Sequence, residues 1–286
     1  MTEMSERFHK LIDLMAALRA PNGCPWDRKQ THESLKPYLL EETYEVLDAI
    51  DHDDRAKLPE ELGDVLLQVL FHSQIAAEAG SFTVDDVMER LADKLIRRHP
   101  HVFTGGTGDP TPTNAEQVLA RWEDIKKAER QAAGRPESVF DGVPDTLPAL
   151  LRAYQIQARA SRVGFDWNHD QTGFDQVLNK IEEEIRELRA ALRLPSPEGI
   201  SSDRQRQIAA EFGDVLFSLV NLARFVKVNP EDTLRQSVNR FVGRFRFIEQ
   251  QAAQSGRAVG DLSFDEMNRL WEEAKRQEPA TGGKIR

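Results

Sequence analysis

Apolar residues recur at helical spacing through most of the chain. In Arg7–Arg19, Phe8, Leu11, Ile12, Met15 and Leu18 fall three and four apart, on one helical face. The same period predicts helices over Tyr38–Ile50, Pro59–Ala79, Val84–Arg98, Glu116–Ala133 and Leu147–Val163. It continues over Gly173–Leu192, Asp203–Val226, Pro230–Gln254 and Phe264–Gln277. Alternating β-branched runs bounded by turns, the mark of strands, are missing. Breakers gather at Pro21–Pro25, Thr104–Thr113, Gly134–Pro148, Leu194–Ser202 and in the tail after Glu278. An all-α protein is expected. Gly134–Pro148 holds Pro136, Gly142, Pro144 and Pro148 between two helical blocks. The expected organisation is therefore a module over 1–135, a linker over 136–148, a second module over 149–278 and a flexible tail over 279–286.

The two blocks repeat one another. EETYEVLDAI (Glu41–Ile50) recurs as EEIRELRAAL (Glu183–Leu192), 142 residues on. ELGDVLLQVL (Glu61–Leu70) recurs as EFGDVLFSLV (Glu211–Val220) at an offset of 150. RWEDIKKAE (Arg121–Glu129) recurs as LWEEAKRQE (Leu270–Glu278) at 149, and PWDRKQT (Pro25–Thr31) as DWNHDQT (Asp166–Thr172) at 141. The order is kept, and the jump from 142 to 150 falls in the second block's LPSPEGISS loop. Short periods mark solenoids; a period this long marks one helical module duplicated and fused.

Composition narrows the function. With 286 residues, 40% of them apolar, the chain can bury a substantial core. Its net charge of −10 makes it a poor general binder of nucleic acid or anionic membrane, so neither is an expected partner. An anionic ligand would need local basic residues or a bridging cation. The single cysteine, Cys24, excludes an internal disulfide framework and a multi-cysteine metal site, in keeping with a reducing cytoplasm. No basic segment followed by an apolar core opens the chain, so no signal peptide is expected. No apolar run approaches the ~20 residues of a membrane helix.

The acids carry the candidate chemistry. One helix of each half bears Glu41, Glu42 and Glu45, or Glu183, Glu184 and Glu187; the next bears Glu61 and Asp64, or Glu211 and Asp214. Residues three or four apart share a helix face, so two antiparallel helices can aim four carboxylates at one point. A lone EExxE is common on solvated faces. Here the joint pattern occurs twice, in the same order, and runs into strongly apolar sequence. Grouped acids that lose hydration repel one another, and a cation removes that cost. All-oxygen ligation favours Mg²⁺, Mn²⁺ or Ca²⁺ over zinc. No Glu-x-x-His stands on these helices, which weighs against a di-iron bundle. Gly63 and Gly213, just before the aspartates, suggest close packing or room for a ligand.

EExxE followed by ExxD resembles the signature of the MazG-like, all-α nucleoside triphosphate pyrophosphohydrolases. GCPWD (Gly23–Asp27), LEETYEVLDAI (Leu40–Ile50), ELGDVLLQV, RRHPHVF (Arg97–Phe103), RWEDIK and VGFDW (Val163–Trp167) extend the likeness over nearly the whole chain. The resemblance implies duplicated four-helix-bundle-like modules packed around a carboxylate metal site, in a homodimer. It implies a Mg²⁺-dependent enzyme, with Mn²⁺ as the alternative ion. The reaction would convert nucleoside triphosphates into monophosphate and pyrophosphate with broad, house-cleaning specificity. Narrow specificity for one dNTP or a damaged nucleotide, or a non-catalytic nucleotide or metal sensor, are the other readings. In two-domain members the C-terminal half is the active one. By motif position Glu184, Glu187, Glu211 and Asp214 would hold the metal. Lys180, Arg240, Arg244, Trp271 and Lys275 would contact the nucleotide. Where this chain has Arg240 the family usually has lysine, so charge is kept but geometry changes.

Glu183 is the candidate general base or an extra metal ligand. Asn221 belongs to the substrate side. In the N-terminal half, Glu41, Glu42, Glu45, Glu61 and Asp64, with Lys94 and Arg98, form a second, weaker site. There Tyr38 replaces Lys180, so that half is expected to bind metal but turn over little or nothing. Trp271 stacks on the nucleotide or packs in the core. His99 and His101 read as a structural turn or dimer contact, and Cys24 as a packed thiol.

Overall fold

A computed structural model describes residues 3–103, 112–114, 117–118, 121–122, 125, 138–193 and 201–277. Every regular element among them is helical. The chain divides into two units, Met1–Gly134 and Arg135–Arg286. The expected helix over Glu116–Ala133, the Thr104–Thr113 and Leu194–Ser202 breakers and the tail lie largely outside the described residues.

The first unit holds α1 (Glu3–Arg19), α2 (Pro25–Lys29), α3 (Lys36–Asp51), α4 (Leu58–Glu78), α5 (Val84–Arg98) and α6 (Pro100–Phe103). The predicted spans agree to within a few residues at each end, as far as fraying ends allow. Two short helices, α2 and α6, were not foreseen. Each begins on a proline, which suits a first helical turn because the missing N–H would have no helical partner there. α5 starts in a capping box: the Thr83 amide donates to Asp86 Oδ2 at 2.7 Å and the Asp86 amide to Thr83 Oγ1 at 3.3 Å.

Helix α4 is the centre of this unit, packed by α1, α3 and α5. Met15, Leu35 and Phe71 form the core, with Ile75 against it. Arg19, whose guanidinium lies 5.5 Å from the Phe71 ring centroid, donates to Glu78 at 2.7–3.1 Å and to the carbonyls of Asp27 and Gln30. It thereby ties α1, α2 and α4 together. Gly23 is required at its turn: a Cβ there would sit 2.2 Å from the Leu18 carbonyl oxygen. His99 ends α5, its Nδ1 donating to the Leu95 carbonyl at 2.7 Å, and its ring meets Trp122 edge-on at 5.0 Å.

The second unit holds α7 (Ala149–Arg162), α8 (Gln171–Arg193), α9 (Ser202–Phe225), α10 (Pro230–Gln254), a 3-10 turn (Val259–Asp261) and α11 (Phe264–Gln277). α8 and α9 make the most extensive pairing; α7 packs on α9 and α10, and α10 on α11. Val177, Ile181 and Val220 are buried on α8 and α9. A second core gathers Ile248, Ala252 and Leu262 with Phe245, Met267 and Trp271. Ser201 caps α9, and Asn229 with Pro230 starts α10. The duplicated acid motifs thus fall on consecutive, packed helices in both units, α3 with α4 and α8 with α9. None of the described helices is long and apolar enough to cross a membrane.

Candidate active site

In the second unit the pairing of α8 with α9 brings carboxylates from both helices to one point. Oxygens of Glu184, Glu187 and Glu211 all lie within 4.8 Å of one another. Glu184 is 6% exposed, and a carboxylate so buried needs a cation beside it. Lys180, one turn earlier, supplies one: its Nζ lies 2.7 Å from Glu184 and 2.9 Å from Glu183. These two hydrogen bonds, that to Glu184 first, raise the lysine pKa above its ordinary value. Glu183 is half-buried and turned toward Lys180. Asp214 lies outside the set of three, although it lines the same cavity as Glu184.

The first unit repeats the arrangement with a different third member. Oxygens of Glu42, Glu61 and Asp64 lie within 4.8 Å. Glu61 is 3% exposed and receives Lys57 Nζ at 2.6 Å, a bond that pulls its carboxyl below the usual range. Glu45 lies outside that set. Its hydrogen bond with Glu61, then the charge of Glu61, raises its pKa above the ordinary carboxylate value. Burial first, then Asp64, Glu41 and Glu61, raise the Glu42 carboxyl. Lys94, exposed, and Arg98, half-buried, stand on α5, and Glu41 is exposed on α3. Gly63 and Gly213 do not serve close packing: a Cβ at either meets nothing within 4 Å.

A cavity of about 340 Å³ opens beside the acids of the second unit. Its wall is charged where Lys180, Glu184 and Asp214 line it and aromatic where Phe165, Trp167 and Phe217 do. Asp166 and Arg224 also line it, paired through two bonds of 2.7 and 2.5 Å, with side chains 11% and 9% exposed. Burial raises the Asp166 pKa, but the Arg224 bonds and charge, with His169 and the Trp167 amide, outweigh it and hold the carboxyl below its usual value. Arg224 also donates to Asn221 Oδ1 at 2.7 Å, which orients that amide in the cavity wall.

Of the residues singled out from sequence, Lys180, Glu184, Asp214 and Asn221 share the cavity, and Glu187 and Glu211 stand beside Glu184. Arg240, Arg244, Trp271 and Lys275 are not among its lining residues. Arg244 lies 5.2 Å over the Trp271 ring, Phe241 packs on the same ring at 5.1 Å, Arg240 donates to Ser237 and Lys275 pairs with Glu272. Trp271 belongs to the α10–α11 core. Gln157 and Arg224 carry no sequence signal of their own. Asp166 and Trp167 were visible within VGFDW, but no spacing rule connects Asp166 to a partner 58 residues away. In the first unit, Phe71 stands at the offset of 150 from Asn221 and is buried in the core. Tyr38, in place of Lys180, packs edge-on against Trp26 at 5.7 Å.

Comparison with known proteins gives the same direction. Residues 30–103 match the family model described as the MazG nucleotide pyrophosphohydrolase domain. A Thermotoga maritima protein named nucleoside triphosphate pyrophosphohydrolase/pyrophosphatase MazG is 46% identical over 96% of this chain and 98% of its own length. An Escherichia coli K12 protein named nucleoside triphosphate pyrophosphohydrolase is 43% identical over 94% of this chain and 97% of its own. An uncharacterized Bacillus subtilis protein, YabN, is 45% identical over 95% of this chain, which spans 52% of it.

Proposed function

Since the chain belongs to the MazG family and is a nucleoside triphosphate pyrophosphohydrolase, we propose that its second unit is the catalytic one and that it works with Mg²⁺. The observation that carries this reading is the cavity whose wall joins the buried Glu184 and the exposed Asp214 to aromatic rings. Carboxylate oxygens are hard donors suited to Mg²⁺, with Mn²⁺ the alternative. The cluster already binds an ammonium group, so the residues present fit a cation. Glu184, Glu187, Glu211 and Asp214 would hold it. When bound, Mg²⁺ supplies charge neutralisation and polarisation of phosphate oxygens.

The chain's own residues do the rest. Lys180 exchanges a carboxylate contact for a phosphate oxygen. Glu183, released from Lys180, accepts a proton from the attacking water as general base. The aromatic wall receives the base, and its apolar contacts do not choose one base over another, which favours broad specificity. Attack at the α or the β phosphorus breaks the same bridge and gives monophosphate and pyrophosphate. The first unit binds metal through Glu42, Glu61 and Asp64 but turns over little, because rings occupy the positions of Lys180 and Asn221.

The enzyme acts as a homodimer in the cytoplasm, without nucleic acid or membrane. Support for the dimer comes from the apolar stripe Phe212, Leu216 and Leu219 on α9, 39–54% exposed, and its counterpart Leu62, Leu66 and Val69 on α4. A second copy would cover such a stripe and could bring Arg240, Arg244 and Lys275 toward the acids. Light scattering on the intact chain is expected to give twice the mass of one chain, and a monomer would remove the dimer from this account.

The test of the activity is to incubate the protein with the eight common NTPs and dNTPs, with Mg²⁺ and with EDTA. Monophosphate plus pyrophosphate from most of the eight, abolished by EDTA and restored by Mg²⁺, is expected. Diphosphate plus orthophosphate would mean that a different bond is cut. Turnover of a single nucleotide would replace the broad reading with a narrow one, and activity surviving EDTA would remove the metal.

A further inference from the structure

The wall of the second unit's cavity carries a hydrogen-bond donor whose direction the fold fixes. Asp214, Phe217, Ser218 and Asn221 fall at i, i+3, i+4 and i+7 on α9, so they share one face, and all four line the cavity. Asn221 is half-buried, and its Oδ1 accepts from Arg224 at 2.7 Å. A guanidinium only donates, so this bond settles which end of the amide is oxygen and which is nitrogen. Arg224 is itself held in place by its two bonds to Asp166. The Nδ2 is thereby left on the side away from Arg224. It donates to none of the described residues and is not among the atoms sealed from solvent without a partner, so it opens to the cavity. Seven residues of helix rise by about 10 Å. Asn221 therefore stands from Asp214 as a base stands from its own metal-bound phosphate, with the Phe217 ring between them to meet the face of the heterocycle.

We infer that Asn221 reads the base of the substrate, its Nδ2 donating to a base carbonyl, so that the enzyme favours nucleotides carrying a carbonyl oxygen where adenine and cytosine carry an amino group. This rests on the pyrophosphohydrolase reading above and deepens it. With Oδ1 taken by Arg224, the amide can only donate. It cannot make the two-bond pairing with adenine that a free asparagine makes. Hypoxanthine, guanine, uracil and thymine offer it an acceptor. Adenine and cytosine set N–H against N–H, which leaves both donors unpaired. The Ser218 hydroxyl rotates to donate or to accept and imposes no such choice. The aromatic wall still admits every base, so Asn221 grades substrates within a broad range. The deaminated bases hypoxanthine and uracil fall in the favoured class.

The test compares bases that differ by carbonyl for amino. ITP is set against ATP, and UTP against CTP, by kcat/KM for release of monophosphate and pyrophosphate. The wild-type protein is expected to prefer ITP and UTP by about tenfold, mainly through KM. Asn221→Ala is expected to bring both preferences within about twofold. Asn221→Asp keeps an acceptor for Arg224 and turns a second acceptor to the cavity, so it is expected to reverse both preferences toward ATP and CTP. A merely structural role would not give that reversal. Arg224→Met with Asp166→Leu frees the amide to turn and is expected to lose the preference with Asn221 still present; a preference retained there overturns the fixing of the amide. Thermal unfolding confirms the fold of each variant. Equal turnover within both pairs by the wild type overturns the inference and leaves the pyrophosphohydrolase reading standing. A preference unchanged in folded Asn221→Ala assigns base reading to another group and overturns it as well. If Asn221→Ala does not fold, Asn221→Asp and the wild-type comparisons decide. No release of monophosphate and pyrophosphate from any of the four by the wild type removes both readings.

Discussion

Glu184→Gln and Glu211→Gln are each expected to lower kcat by about a thousandfold, roughly 4 kcal/mol of transition-state stabilisation. The substitution keeps the shape of the side chain and removes its charge. In Glu184→Gln one of the two carboxylates that hold Lys180 also goes, leaving Glu183 alone. Circular dichroism should show the helices intact. The matched change in the first unit, Glu61→Gln with Asp64→Asn, is expected to leave the rate within about twofold. The contrast is the informative part, since the family model falls on the first unit while the cavity lies in the second. An equal collapse in both sets would make both units catalytic. A collapse from the first unit's variants alone, with the fold preserved, would move the active site there.

Arg224→Met is expected to destabilise the second unit by about 3–5 kcal/mol, because it leaves the Asp166 carboxylate buried without its partner. For a unit of this size that lowers Tm by roughly 10 °C. Adding Asp166→Leu to Arg224→Met should recover most of the loss, since removing both charges leaves none unpaired. The two also differ in their response to acid. Asp166 has a folded pKa below its unfolded value of about 3.9. Its stabilisation is therefore complete above that value and is lost as pH falls through the lowered folded pKa. The stability gap between wild type and Arg224→Met should narrow below about pH 4. A gap that stays constant from pH 7 to pH 3, measured by denaturant unfolding, would mean that the pair is not what the substitution breaks.

Much of the framework was legible from local pattern. Helix α5 and helices α10 and α11 were placed to the residue because their signals are local: Thr83 and Asp86 make a capping box, and Asn229 with Pro230 opens α10. The acids were legible because turn spacing puts Glu184 with Glu187 on one face whatever surrounds the helix. Less could be read where two helices must agree. Spacing allowed all four acids of a unit to converge, yet the tight set omits Asp214 in one unit and Glu45 in the other. Which three meet depends on how far one helix slides along its neighbour and on where Lys180 or Lys57 inserts. The short helices α2 and α6 are not legible in the periodicity: Pro25 closes a cluster of breakers and the segment around Pro100 reads as a turn, whereas proline at a first helical turn is a start.

Sequence by itself determined the helical class, the duplication and the presence of a carboxylate pair on each of two consecutive helices in each unit. Those features follow from a fixed turn of the helix and from residue order, and no partner is needed to express them. Only the tertiary structure decided that Gln157 on α7 ties to the Phe217 carbonyl on α9, and that Asp166 meets Arg224 across 58 residues. It also decided that Trp271 packs in a core instead of lining that cavity. Burial and pairing between distant segments arise when whole faces pack against each other. Helical periodicity says which residues share a face but not which face they will meet.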